Sequence, residues 1–440
     1  MAKRHLHAHV PEPDDSSLIW RVERELGEID LLGWLEAQPH TFKMYWQSRD
    51  GALELAGVGA ADRIAATDVV GLKAAIEHIR AHTAGSPARY LGGLCFDSTR
   101  QPRDPSWAEF GDFLFVLPLV EVARCGEKVT LSMNALRSRI EEDGAETALS
   151  ELKLLRESDQ LGVYVRPHVG QRQDHPDQPG WLETVQESLA CISRGELHKV
   201  VPARRSDFPT TAPLSPWRLL KKLRDTGTGR CLFGFQTSPG TAFVGASPER
   251  LYRRDGVTLE SEALAGTRPT SDDPDRNRQL ADELLASDKE RREHGYVVDH
   301  LKSALESLCE RITVDPQPKV VQLPGVQHLR TGLRGELQSD VDDTTILRTL
   351  HPTPAVGGLP RAAALEHLRK IEPFDRGWYA GPVGVLDASG VEFAVAIRSA
   401  LIRPDRLSLF AGAGVVEGSD PDREWVELES KIAPFVEILS

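Results

Sequence analysis

Short apolar runs separated by turn residues fill the chain from Leu18 to about Val169. Two of them, Phe113 to Val120 and Val129 to Met133, read as paired strands around a Cys125-Gly126 turn. From Gly170 to Gly180 the apolar periodicity vanishes in a stretch of Gln, Asp, His and Pro, which predicts an exposed loop or internal boundary. Beyond it the pattern predicts a helix over Trp181 to Arg194 and a strand through Lys199-Val-Val. A hairpin follows, with Arg250 to Arg253 and Val257 to Glu260 joined at Asp255-Gly256. Leu280, Leu284 and Leu285, then Val297, Val298, Leu301 and Leu305, recur at helical intervals and predict one long helix from about Asp275 to Ile312. A strand meander over Gly384 to Asp387, Phe393 to Ile402 and Leu407 to Phe410 precedes a last helix that starts at Ser419-Asp420-Pro421, a capping side chain followed by a first-turn proline. Strand clusters followed by helices predict an α+β or layered α/β fold.

Composition narrows the function more than the fold. The 440 residues are 40% hydrophobic and 27% charged, ordinary for a folded chain. No apolar run is long enough to cross a bilayer, and the start, Met1 to Asp15, is basic then polar and lacks the apolar centre of a signal peptide; a mobile segment over Met1 to Ser17 and a cytoplasmic protein are expected. A net charge of -13 opposes binding to nucleic acid or an anionic membrane and fits a small-molecule enzyme. The five cysteines lie far apart without a Cys-x-x-Cys pair, which argues against a zinc knot.

The chemistry-bearing candidates fall in the second half. Glu290 and Glu293 on one predicted helix, and Glu424 and Glu427 on another, are spaced three apart, so each pair projects from one face. Either these are solvated faces, or the pairs meet and present oxygen ligands to a hard cation such as magnesium. On the last helix Trp425, Leu428 and Ile432 mark a buried stripe, with Glu424, Glu427 and Lys431 on its flank. Just before it, Ala411 to Gly414 is either a tight turn or a place where backbone N–H groups approach a ligand. Arg398, read as a strand residue with alanines at 394, 396 and 400 on its face, either snorkels to the surface or faces room for a carboxylate. Lys199 is either an exposed edge lysine, as Pro202 suggests, or a partly desolvated amine able to act as a base. Glu249, in the turn Ser247-Pro248-Glu249, either faces solvent or sits in an apolar pocket as a proton donor.

The order of these pieces resembles the chorismate-utilising enzymes, most closely their isochorismate synthase branch of the menaquinone or siderophore type. The resemblance covers about Trp181 to Ser440 and rests on His198 to Val201, Phe243 to Glu249, Leu264 to Thr267, Asp288 to Glu293, Leu350 to Ala355, Glu372 to Arg376, Ala396 to Ser399, Phe410 to Gly414 and Glu424 to Glu427. It implies a magnesium-dependent isomerase in which Lys199 activates water at the second ring carbon of chorismate and Glu249 protonates the hydroxyl leaving the fourth. It further implies metal ligation by Glu293 and Glu424, with Glu290 and Glu427 close by or acting through water. Gly266, Thr267, Gly412 and Gly414 would contact the ring carboxylate, Tyr379, Arg398 and Lys431 the side-chain carboxylate or metal end, and His351 the ring. The implied fold is one body of two packed antiparallel sheets with helices outside. Residues 18–440 are therefore expected as one composite domain, with 18–170 as scaffold and 181–440 as the catalytic part, in a monomer or weak homodimer. Pro202 departs from the leucine expected there and predicts a bulge. Tyr45-Trp46-Gln47 before Asp50-Gly51 resembles the menaquinone-type enzymes.

Salicylate synthase is the second reading, set back because His351 to Pro354 resembles the isochorismate-releasing branch. An anthranilate synthase-like enzyme ranks lower, since those usually carry glutamine where Lys199 stands. A silent chorismate-binding subunit would need neither Lys199 nor Glu249.

Overall fold

Most of the apolar runs become strands of two antiparallel sheets, one of 11 strands and one of 10. The computed structural model describes residues 17–439 apart from 67–70, 145, 147–148, 151, 157–167, 213 and 324. The expected mobile segment therefore lies outside the described residues, save Ser17, which is buried and donates a hydrogen bond to the Ile19 carbonyl. Both sheets mix early and late sequence: Lys43–Gln47 pairs with Cys231–Ser238 in the larger, and Tyr90–Leu94 with Pro382–Leu386 in the smaller. Trp378 packs between them, its ring 5.5 Å from Phe235 of the larger sheet and so close to Gly93 of the smaller that a Cβ there would lie 2.7 Å from it.

Helices cover the outer faces, and two of them set up the cavity described below. Asp288–Leu308 lies against the strand Thr258–Pro269, and Pro421–Leu439 against Arg406–Gly412. In the first, the buried stripe runs back from Leu308 through Ala304, Leu301 and Val297 to His294 and Glu290. In the second it runs from Leu439 through Phe435, Ile432 and Leu428 to Glu424. Each stripe is apolar where the helix meets the sheet and turns acidic in its first turn, so burial is imposed on Glu290 and Glu424 by their place on the helix. Trp425, expected on that stripe, is only half-buried.

Four expected elements fold differently. The long helix is two, Pro274–Ala286 and Asp288–Leu308, because Ser287 is extended (φ -74°, ψ 116°) and its hydroxyl accepts from the Glu290 amide at 3.4 Å to cap the second. Its expected end, Cys309–Val314, is instead a strand paired with Val326–Leu337, where β-branched residues gain a ladder. The run Phe113 to Val120 breaks at Pro118, sending Phe113–Leu117 to the smaller sheet and Val120–Cys125 to the larger. Phe393 to Ile402 likewise divides into Gly390–Val395 in the smaller sheet and Ser399–Arg403 in the larger, with Arg398 at φ 52° in the crossing. Gly170 to Gly180 contains Gln173–His175, which pairs with Arg205–Asp207.

Candidate active site

A cavity, about 650 Å³ including its open mouth, opens between the acidic first turns of those two helices and the strand ends beneath them. Glu249, Gly266, Thr267, Glu293, Tyr379, Arg398, Gly412, Gly414, Glu427 and Lys431 line it. Lys199, Glu290 and Glu424 stand directly behind that lining, while His351 does not reach it.

Lys199 is delivered by a two-residue strand, Lys199–Val200, paired with Gly358–Leu359. The strand stops before Pro202, which lacks the N–H to continue it, and resumes at Ala203. Lys199 is fully buried, with its Nζ 3.0 Å from Glu293 Oε1. Gly414 makes that pair possible: a Cβ there would lie 2.2 Å from Glu293 Oε1 and 3.3 Å from Lys199 Cε. Gly414→Ala is therefore expected to displace Glu293 and lower kcat by at least about tenfold with thermal stability little changed, a split that steady-state kinetics and calorimetry together read.

Glu249 leaves the end of the strand Thr241–Ser247, where Ser247 Oγ accepts from the Glu249 amide at 3.2 Å and donates to the Val395 carbonyl at 2.6 Å. Burial pushes its carboxyl up to about 8, the nearby Glu262 adds to the shift, and Lys199 and Lys431 oppose it. At neutral pH it is a protonated acid.

The opposite end of the cavity is anchored by Thr267. A bulge between Ala265 and Thr267 sets Gly266 at φ +79°. It turns the Thr267 amide onto Glu290 Oε2 at 3.0 Å and the Thr267 hydroxyl toward Glu427 Oε1 at 3.4 Å, so one residue joins the two helices' carboxylates. Lys289 joins them again, with Nζ 2.6 Å from Glu424 Oε1 and 3.8 Å from Glu290 Oε1. Burial raises the Glu424 carboxyl, and the charge of Glu427 adds to it. Burial also acts upward on Glu427, but Lys431 at 2.6 Å outweighs it and holds that group low.

Arg398 occupies a left-handed conformation that a non-glycine residue rarely adopts, which aims its chain into the cavity from the sheet-to-sheet crossing. Burial lowers its guanidinium to about 10, with Glu427 and Tyr379 opposing, so it stays cationic at neutral pH. Lys431 donates to the Gly412 carbonyl at 2.7 Å. Tyr379 stacks on Phe410 at 5.1 Å, its hydroxyl 3.2 Å from where a Gly412 Cβ would stand.

Three participants carry no distinctive sequence signal. His328 lines the cavity and is pushed down to about 3, by burial first and then by Arg398 and Lys431, and is therefore neutral. Its Nδ1 faces the Gly266 carbonyl at 3.1 Å, which assigns the proton there and leaves Nε2 to accept from Arg398 at 3.4 Å. Glu262 raises the Glu249 carboxyl from the neighbouring strand. Lys289 lies within the segment Asp288 to Glu293, yet its bridging role follows only from the pairing of the two helices. In contrast, His351 donates from Nε2 to the Phe96 carbonyl at 3.1 Å and lines a separate cleft, because the helix Asp343–Leu350 ends just before it on the far side of the cavity wall.

Residues 6–440 match the family model described as chorismate binding enzyme. The chain belongs to the chorismate-binding enzymes. It is 35% identical over 438 residues to the isochorismate synthase MenF of Pasteurella multocida, covering 99% of this chain and 96% of that protein. Against the isochorismate synthase MenF of Escherichia coli the identity is 34%, covering 98% and 95%. The solved structure of that menaquinone-specific enzyme superposes with a TM-score of 0.87 at 32% identity, covering 98% of this chain and 97% of that one. Two packed antiparallel sheets with outer helices are thus what this chorismate-binding enzyme shares with its solved relative. No helix among the described residues is long and apolar enough to cross a membrane.

Proposed function

We infer that the protein is an isochorismate synthase, an isomerase that converts chorismate to isochorismate, and of the menaquinone type that its full-length relatives are named for. The observation that carries this reading is a carboxyl held protonated at neutral pH, Glu249, lining a cavity with the buried amine of Lys199 directly behind its wall. Water addition with hydroxyl loss needs that combination. Lys199 takes a proton from water as its oxygen bonds to the second ring carbon; the ring double bonds shift and the bond to the hydroxyl at the fourth carbon breaks. Glu249 gives that hydroxyl its proton, so one water enters and one leaves. Arg398 and Lys431 supply cations for a dianionic substrate in an acidic protein.

The four glutamates, Glu290 and Glu424 buried and Glu293 and Glu427 partly so, fit a hard divalent cation, because every donor is a carboxylate oxygen and Glu424 is buried beside a second negative charge. Each is partnered by an amine or an amide here, and among the described residues no three converge on one point. Glu293 and Glu424 would hold magnesium, with Glu290 and Glu427 beside them, and the ion would neutralise the ring carboxylate. A cation drawing on Glu293 would also leave Lys199 without its counter-ion. Glu424→Gln is expected to raise the magnesium concentration for half-maximal activity by about ten- to a hundredfold, read by titrating the metal into chelator-treated enzyme.

The deciding experiment supplies chorismate and magnesium to the purified enzyme and follows isochorismate and pyruvate together. Isochorismate without pyruvate is expected. Pyruvate with salicylate, or no turnover at all, would overturn the assignment.

A further inference from the structure

A second cleft, of about 1440 Å³ including its open mouth, lies beyond the wall of the active cavity. Phe96, Phe113, Leu347 and Leu365 give it an apolar side; Arg348, Arg361 and Arg369 give it a cationic one. Its two carboxylates are already neutralised, Asp97 by Arg369 at 2.7 Å and Asp112 by Arg103. Arg348 and Arg361 form no ion pair among the described residues. Arg348 is exposed, and its influence on Asp342 falls short of a salt bridge. Arg361 is half-buried and donates from Nη1 to the Arg348 carbonyl at 2.7 Å and from Nη2 to the Thr349 carbonyl, capping the helix Asp343–Leu350 without a counter-anion; burial lowers its guanidinium. On the inner wall His351 has its Nε2 proton on the Phe96 carbonyl, which leaves Nδ1 a buried acceptor with no partner.

Two arginines with no ion pair among the described residues are a local exception in a chain of net charge -13. Guanidinium groups without carboxylates favour a planar anion, and a half-apolar cleft far larger than an inorganic ion favours one with a ring. We propose that this cleft binds a small monocyclic carboxylate, held by Arg348 and Arg361 with its ring against the apolar side, and that its occupancy acts on turnover through residues 351–356. Those residues span the wall. His351 and Pro352 line the cleft, and Ala355 and Val356 line the active cavity that also holds Glu249. A ligand that moves His351 moves the wall of the cavity that holds the proton donor. The second half of the proposal rests on the activity inferred above; the first does not.

Calorimetric titration of the full chain with benzoate tests the binding without reference to activity. One saturable site is expected, weakened about tenfold by Arg348→Gln and by Arg361→Gln, the loss of one charge-assisted contact, and unaffected by Arg398→Gln in the active cavity. Benzyl alcohol, which lacks the charge, and inorganic phosphate, which lacks the ring, should each bind more weakly than benzoate. No saturable binding, equal binding of phosphate, or a site lost in Arg398→Gln and kept in Arg348→Gln overturns the cleft as a carboxylate site. In turnover, saturating benzoate should change kcat of the unaltered enzyme and not of Arg348→Gln. An unchanged kcat with benzoate bound overturns the link to Glu249.

Discussion

Replacing Glu249 by glutamine is expected to lower kcat by about two to four orders of magnitude and to remove the alkaline limb of the pH profile. The side chain keeps its size and its polar end but has no proton to give. In the unaltered enzyme the carboxyl is pushed up to about 8, by burial first and by Glu262 second. It therefore carries its proton at neutral pH and loses it as pH rises through that value, so kcat/KM of the free enzyme should fall tenfold per unit beyond it. The same shift has a cost in stability. A carboxyl raised above its unfolded value contributes fully to stability below the unfolded value and loses that contribution as pH rises through the folded one. Glu249→Gln should therefore melt higher than the unaltered enzyme at alkaline pH while being nearly inactive. A kcat/KM profile flat across pH 8, or a glutamine variant within tenfold of normal turnover, would remove Glu249 from the role of acid.

The glutamate pairs show what was legible in the sequence and what was not. Their spacing placed each pair on a helix, and the apolar stripes gave the buried faces. Continuing those stripes backwards, from Val297 to Glu290 and from Leu428 to Glu424, gives the burial of the two glutamates as well. The meeting of the two helices could not be read this way, because it is set by Thr267 and Lys289, which touch both only after the strands pair. Arg398 was misplaced in a strand for a related reason. The run from Phe393 to Ile402 has no glycine or proline to mark a break, and the left-handed turn there is forced by the passage from one sheet to the other. Ser287 was missed because a serine inside a helical period looks like a tolerated guest until its cap is seen. His328 sits opposite Thr267 in the ladder, a neighbour 61 residues away that no local pattern reveals. His351 followed from the resemblance alone, and the structure puts it on the other side of the wall.

Lys199→Ala is expected to cut kcat by about two to four orders of magnitude with a much smaller change in KM, since the amine acts on water and Arg398 and Lys431 remain for the substrate. A structural explanation must be separated from a chemical one, because Lys199 is fully buried and its removal leaves Glu293 without its 3.0 Å partner. Truncation to alanine empties a space shaped for three methylenes and an amine, closed on one side by Gly414. Added alkylamines of matching length should enter that space and restore part of the turnover, more so as rising pH deprotonates them. Lys199→Met fills the same space without a nitrogen and should fold as well as the unaltered enzyme, yet gain nothing from added amine. If Lys199→Met turns over within tenfold of normal, the base lies elsewhere. If both variants are inactive and unresponsive to amine while their melting temperatures fall together, Lys199 serves to hold Glu293 in place, and the proton must be taken by another group on the cavity wall.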